Sequence, residues 1–419
     1  MKKYLLLFTL ISIIIFSATA SDSTKVRKNR HPKSLRFFYQ AGKVLQTNKF
    51  VQGENAAKTP VDIFQSASFQ YGIETDGRKI WQQIYGYPTW GFGFYGVNFF
   101  NKTELGTPSA IYSFINAPLV KRFKKWSINY EVGFGLTYNW QPYDPITNPF
   151  QYAIGSNNTV FIDAGLNADI QLGKHFDLTA GFTFTHFSNG ATRVPNYGIN
   201  LAAPRVGLKY IFKNRPEFIK KEIPEYNKEW EYIVLVAGSI KQLAYQIIEN
   251  TGDTAYLAET YGIYTLSTGI NRQISYKVKF GLGTDISYDN SYNSYIKYEN
   301  GQTTERLNAG DGIKLAVGVY GSFELVINKV SMVVQPGWYL YREEWSVPDS
   351  PTPPTESNPA AIAIPKRKPG PSYQRIGLKY HIFENVFAGI NVRAYNFSIA
   401  DYIEWNIGYR IKWQKSYRK

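Results

Sequence analysis

His186 and Ser188 stand two residues apart in a chain of 419 residues that holds only 4 histidines. An imidazole within reach of a hydroxyl is the smallest activated nucleophile: the ring takes the hydroxyl proton as the oxygen attacks a carbonyl. Such a site needs two supports. One is a group that holds the imidazole in a single tautomer, a task asparagine performs in some nucleophilic sites, and Asn200 is the candidate. The other is a set of donors for the oxyanion that forms, for which the Asn189 side chain and the Gly190 backbone N–H are nearest in sequence. A purely structural reading stands beside this one. His186 and Ser188 can be polar residues entering a loop, Asn189-Gly190 is a strong turn pair, and Asn200 can simply begin a strand. The other histidines have plain settings, His31 in a basic N-terminal stretch and His175 and His381 beside short turns. The sequence carries no Gly-rich phosphate loop, no Gly-x-Ser-x-Gly elbow and no His-Glu-x-x-His pair, so neither a cofactor nor a metal ion is expected.

What would position these groups is a strand. Phe176, Leu178, Ala180, Phe182, Phe184, His186 and Ser188 share one parity, while Asp177, Thr179, Gly181, Thr183, Thr185 and Phe187 share the other. Successive side chains of a strand point to opposite faces, and in a membrane barrel the apolar face meets lipid while the polar face meets the bore. The predicted strand over 175–188 therefore aims His186 and Ser188 at lipid, where ionisable groups are expensive and usually functional. On the next predicted strand the apolar parity of Phe212, Tyr210, Leu208 and Val206, carried back, reaches Asn200 on the same side.

The pattern recurs along the chain. Period-two segments of about ten residues or more number about eight in residues 35–213 and about eight more in residues 229–419, either side of a Pro- and Lys-containing linker at 214–228. Connections alternate between short turns, such as Gly173-Lys174, Asn271-Arg272-Gln273, Ile327-Asn328 and Phe383-Glu384, and long polar stretches at 141–158, 290–311 and 343–371. Short periplasmic turns and long outer loops are the habit of outer-membrane barrels; the stretch 76–88 departs from it, being long where a short turn is expected. The halves resemble each other, Gly165-Leu166-Asn167-Ala168 matching Gly377-Leu378-Lys379-Tyr380. The expected fold is all-β, an antiparallel transmembrane β-barrel in two tandem units of about eight strands, each with enough strands to close alone; one barrel of about sixteen strands is the alternative. With both termini in the periplasm, the seventh strand ends at the outer leaflet, where lipopolysaccharide resides. Aligning Ala180-Gly181 with Ala388-Gly389 sets Ala394 against His186 and Asn396 against Ser188, so the second half is expected to be a degenerate repeat without a catalytic pair.

Composition supports a secreted barrel. Aromatic residues make up 16% of the chain while the mean hydropathy is −0.31, so apolar and polar residues are finely interleaved, which suits aromatic girdles on a barrel with a polar interior. Lys2 and Lys3, the apolar run from Leu5 to Phe16 and Ala18-Thr19-Ala20 read as a signal peptide over 1–20, followed by a basic segment at 21–34. No later stretch offers the ~18 consecutive apolar residues of a membrane helix. With no Cys in the chain, neither disulfides nor a lipid-anchored mature N-terminus is available. The net charge of +15 attracts polyanions. The basic residues are scattered and the chain leaves the cytoplasm, so the expected partner is the phosphorylated lipid and saccharide of the bacterial surface, not nucleic acid.

The string His186-Phe187-Ser188-Asn189-Gly190, followed by Pro195-Asn196-Tyr197-Gly198-Ile199-Asn200, resembles the signature of the outer-membrane lipid A 3-O-deacylases, the PagL family of acyloxyacyl-hydrolase-like proteins. The resemblance runs over roughly residues 35–213, and Gly106 to Phe114 also looks familial. It implies an eight-stranded barrel in the bacterial outer membrane whose exterior groove removes the ester-linked 3-hydroxyacyl chain from the glucosamine of lipid A. His186 and Ser188 match that family's base and nucleophile. The third member is typically Glu where this chain has Asn200, and Asn orients an imidazole without offsetting its positive charge as a carboxylate does. Asp163, Asp169 and Asp177 fall on bore parity and are poor substitutes. Two other readings fit the residues: a non-catalytic barrel serving as a pore or structural surface protein, and an esterase directed at phospholipid.

Overall fold

The structure, a computed structural model, describes residues 31–120, 122–123, 125–144, 146–248, 254–292, 296–299, 302–306, 311–343, 370–395 and 399–413. The expected signal peptide and Asn396 lie outside the described residues. Strands β1 (Lys33–Val44), β2 (Ile63–Glu74), β3 (Thr89–Asn98), β4 (Gly106–Pro118), β5 (Trp126–Trp140), β6 (Val160–Gln171), β7 (Phe176–Ser188) and β8 (Ile199–Ile211) pair antiparallel in sequence order. β8 returns to β1, with Leu208 opposite Phe37, and closes the first barrel. A second closed barrel holds β9 (Glu229–Ile248), β10 (Thr254–Gln273), β11 (Val278–Asp289), β14 (Leu315–Ile327), β15 (Val330–Arg342), β16 (Ser372–His381), β17 (Val386–Tyr395) and β18 (Ile399–Trp413), completed by β18 against β9. A separate hairpin, β12 (Ile296–Glu299) with β13 (Gln302–Arg306), stands between β11 and β14. The chain forms two barrels of eight strands, not one of sixteen.

The alternation that suggested strands also sets their faces. On β7, Phe182 is 55% exposed and Thr183 only 1%, the arrangement of a wall with lipid outside. The expected turn at Asn271-Arg272-Gln273 is instead the end of β10, and the reversal falls at 274–277. These polar residues stay in the strand because pairing with β9 and β11 satisfies their backbone, and the buried Asn271 amide donates to Glu231 in the bore, at 3.0 Å.

Both bores are crossed by buried charged side chains. In the first barrel Glu131 receives Arg36 at 2.5 Å and Arg205 at 3.1 Å, and Lys209 reaches Glu74 at 3.0 Å. Toward the end with long connections this charged layer gives way to an apolar plug. Inward residues such as Tyr95, Phe161 and Phe187 meet loop residues there: Phe50 and Val51 from the β1–β2 connection, Leu105 from helix α2 (Lys102–Leu105) and Ile154 from the β5–β6 connection. The latter loop is tightened by Asp144, whose carboxylate accepts the N–H groups of Ile146 and Thr147; these bonds favour its charged form and hold its pKa below the usual value. In the second barrel the bore is crossed by ion pairs, Arg375 to Glu404 at 2.7 Å and to Asp285 at 2.9 Å.

The long connection at 76–88 has a structural reason. It contains helix α1 (Ile80–Ile84) and docks away from its own strands. Tyr87 stacks on Phe218 of the linker, and the Tyr85 hydroxyl donates to the Val326 carbonyl of β14 at 2.6 Å. It ties the two barrels together at the end bearing the short turns.

Candidate active site

Phe187 determines how its two neighbours sit. It is fully buried, with its ring 5.2 Å from that of Trp140 and 5.8 Å from that of Phe161. Alternation then sends His186 and Ser188 to the outer face of β7, where both are partly exposed. Swapping faces would take Phe187 out of the plug, a loss of roughly 3–5 kcal/mol for an aromatic side chain.

His186 lies opposite Asn200 of β8, and its Nδ1 is 2.6 Å from Asn200 Oδ1. The amide is itself oriented: Asn200 Nδ2 donates to Thr47 Oγ1 at 3.1 Å, and the Thr47 hydroxyl donates to the Leu45 carbonyl. An oxygen facing the ring requires the proton on Nδ1, which leaves Nε2 as the basic nitrogen. Asn200 thus meets the ring on the lipid side of the barrel, as parity predicted.

Ser188 sits one pleat further along, about 7 Å from His186 by strand rise. Its Oγ accepts two hydrogen bonds, from the Gly190 N–H at 3.1 Å and from Asn196 Nδ2 at 2.8 Å. With both acceptor positions used, the hydroxyl proton remains available for a further acceptor. The Asn189 side chain is turned elsewhere, donating to Ser156 Oγ at 3.2 Å and to the Arg193 carbonyl at 2.9 Å. Its backbone N–H goes to Asn196 Oδ1 at 3.0 Å, so the Asn196 amide spans from the loop backbone to the Ser188 hydroxyl. Of the two oxyanion candidates read from the sequence, Gly190 is aimed at the serine, whereas Asn189 organises the loop.

Two glycines make this geometry possible. Gly190 has φ +61° and Gly198 φ +73°, in the left-handed region that side chains disfavour. A Cβ on Gly198 would lie 3.2 Å from His186 Cε1 and 3.0 Å from the Phe187 carbonyl oxygen, so it would press on the imidazole. Gly198 is further tied down by the Asn48 amide, which donates to its carbonyl at 2.8 Å, and by its own N–H to the Ala153 carbonyl at 2.9 Å.

Asn196 and Gly198 lie within the quoted signature, and their signal was there to use. Thr47 gave none, being 153 residues from its partner. The bore carboxylates are occupied inside the barrel: Asp163 by Thr183 and Thr185, Asp169 by Asn129 and Thr179, and Asp177 by Arg215. In the second barrel Ala394, on β17, pairs with Gln374 and Ala400, and Glu404 is locked in the bore.

Comparison with known families accounts for both barrels. A model described as lipid A 3-O-deacylase (PagL) matches residues 65–209, which include His186, Ser188, Gly190, Asn196, Gly198 and Asn200. A second, described as acyloxyacyl hydrolase, C-terminal domain, matches residues 230–351 and 361–413. The chain belongs to the PagL family. As a PagL-family protein with this barrel architecture it is an outer-membrane β-barrel, and the family is one of lipid A deacylases, which are hydrolases. No curated protein matches the chain. Solved structures with similarity include the siderophore receptor PirA from Pseudomonas aeruginosa, 10% identical over 93% of this chain and 82% of that one at a TM-score of 0.23. The Pseudomonas putida toluene transporter TodX is 9% identical over 93% and 90%, at 0.16. Scores this low carry no argument about architecture or activity.

Proposed function

We propose that this protein is a serine esterase of the outer membrane that removes an ester-linked 3-hydroxyacyl chain from lipid A, working on the lipid-facing side of its first barrel. The observation that carries the reading is the His186–Asn200 pair beside a doubly hydrogen-bonded Ser188 on the outer face of β7. Asn200 fixes the ring so that Nε2 takes the Ser188 proton while Oγ attacks the ester carbonyl. The tetrahedral intermediate collapses with loss of the glucosamine oxygen, which takes the proton back from the imidazole. Water, activated by the same nitrogen, then releases the fatty acid from Ser188. The Gly190 N–H and the Asn196 amide, already directed at the serine oxygen, are the donors nearest the carbonyl oxygen as it gains charge. A substrate anchored in the outer leaflet needs no channel, in keeping with a bore closed by the apolar plug.

The test is the mass of lipid A from cells making the parent protein or Ser188→Ala. Loss of one 3-hydroxyacyl chain with the parent, abolished in the variant, supports the reading. Identical lipid A in both overturns it. Offering purified protein phospholipid alongside lipid A separates the two ester classes: cleavage of phospholipid alone keeps the serine chemistry and rejects the substrate.

A further inference from the structure

The outer face of the second barrel is apolar and exposed along β18, where Trp405, Ile407, Tyr409 and Ile411 are between 37% and 55% exposed. Ile403 shares their parity yet is only 5% exposed. What covers it is the loop between β7 and β8 of the first barrel: a Cβ placed on Gly190 would lie 2.3 Å from Ile403 Cγ1. On the adjacent strand β9, Gln242 has the same outward parity as Ile240, and it holds that loop twice. Its backbone N–H donates to the Ala191 carbonyl at 3.2 Å, and its side-chain Oε1 accepts the Val194 N–H at 3.0 Å. Three contacts from the second barrel therefore fall on residues 190, 191 and 194, inside the loop that brings Gly190 and Asn196 to the Ser188 hydroxyl.

We infer that the second barrel is a positioning element for the catalytic loop of the first, with Gln242 and Ile403 as positioning residues that hold the Gly190 and Asn196 donors against Ser188. The physical case is one of loop entropy. A loop of this length, with two glycines in the left-handed region, samples many conformations when free, and donors displaced by even 1 Å lose much of their effect on the reacting oxygen. The first barrel pins the loop's far side, through Gly198 to Ala153 and Asn48; Gln242 and Ile403 pin the near side. A barrel without the pair at Ala394 thus contributes to the reaction at its own outer wall. A Gln at 242 suits the task because one residue can present a donor from its backbone and an acceptor from its side chain to two peptide groups three residues apart.

This inference rests on the serine esterase reading, and its test separates the two. In full-length protein, Gln242→Leu combined with Ile403→Ala is expected to lower kcat about tenfold while KM stays within about twofold, the signature of lost transition-state alignment. Hydrogen exchange at the Gly190 and Val194 amides should quicken in that double variant, with β1 to β6 unchanged. Gln242→Glu, which keeps an acceptor for Val194, and Ile403→Leu should each restore both readouts to near the parent. Unchanged exchange in the double variant, or faster exchange with an unchanged kcat, overturns the inference. Cleavage that survives Ser188→Ala rejects the esterase reading instead, while the exchange data still decide whether the second barrel holds the loop.

Discussion

The two barrels share strand number and alternation but treat the end of the seventh strand differently. In the first, Phe187 anchors β7 in an apolar plug, and the polar residues on either side are presented outward, His186 in register with Asn200. In the second, β17 puts Arg393, the counterpart of Thr185, into the bore between Asp285 and Glu404, and the register with β18 shifts between Arg393 and Ala394. An ion-pair network can span a bore as a plug does, but it leaves the outer wall without a reason to carry polar groups. The lesson is that the fold is permissive and the site is extra: it needs an inward anchor between two outward groups, a neighbouring strand that supplies an oriented amide, and a loop folded back by two glycines.

That contrast can be broken or sharpened by substitution. The largest effect is expected at the pair itself. His186→Ala should lower lipid A hydrolysis by about 10³-fold or more, while Ala394→His in the second barrel leaves the rate unchanged; mass spectrometry of lipid A treated with purified, folded protein reads both. Next come the bores, where the barrels should behave alike. Glu131→Ala and Glu404→Ala each remove a carboxylate shared by two buried arginines and should cost about 3–5 kcal/mol, seen as a lower midpoint in the unfolding of the heat-modifiable barrel band. A cost in only one barrel would show that the interiors are not equivalent. Gly198→Ala, which adds strain at positive φ and a methyl against the imidazole, should reduce kcat by about 10²-fold with little change in barrel stability. Smaller, and opposite in sign, is Asn200→Glu. A carboxylate stabilises the imidazolium that Asn only orients, so the rate should rise by about tenfold; a fall would mean that the link from Asn200 to Thr47 matters more than charge.

Much of this was legible before any coordinates. The parity of Phe182, Phe184, His186 and Ser188 against Thr183, Thr185 and Phe187 specified which groups face lipid, and the same count placed Asn200 beside the imidazole. The signature string pointed to the family. Less legible was the division of labour among Asn189, Gly190 and Asn196. All three lie within eight residues of Ser188, but which amide meets the hydroxyl depends on the left-handed turn at Gly190. The length of the 76–88 connection registered as an anomaly without a cause, since its partners Phe218 and Val326 are far along the chain.

The sequence by itself determined the strand periodicity, the faces of each strand and the chemistry on offer, because a pleat's alternation is local covalent geometry and repeats every two residues whatever the chain does later. Tertiary structure settled the closures that the sequence only favoured, β8 onto β1 and β18 onto β9, and it alone brought Thr47 to Asn200 and Gln242 and Ile403 to the loop between β7 and β8. Those choices rest on closing hydrogen-bond ladders and packing side chains across more than 150 residues of chain, and no local pattern encodes which distant edge a strand will meet.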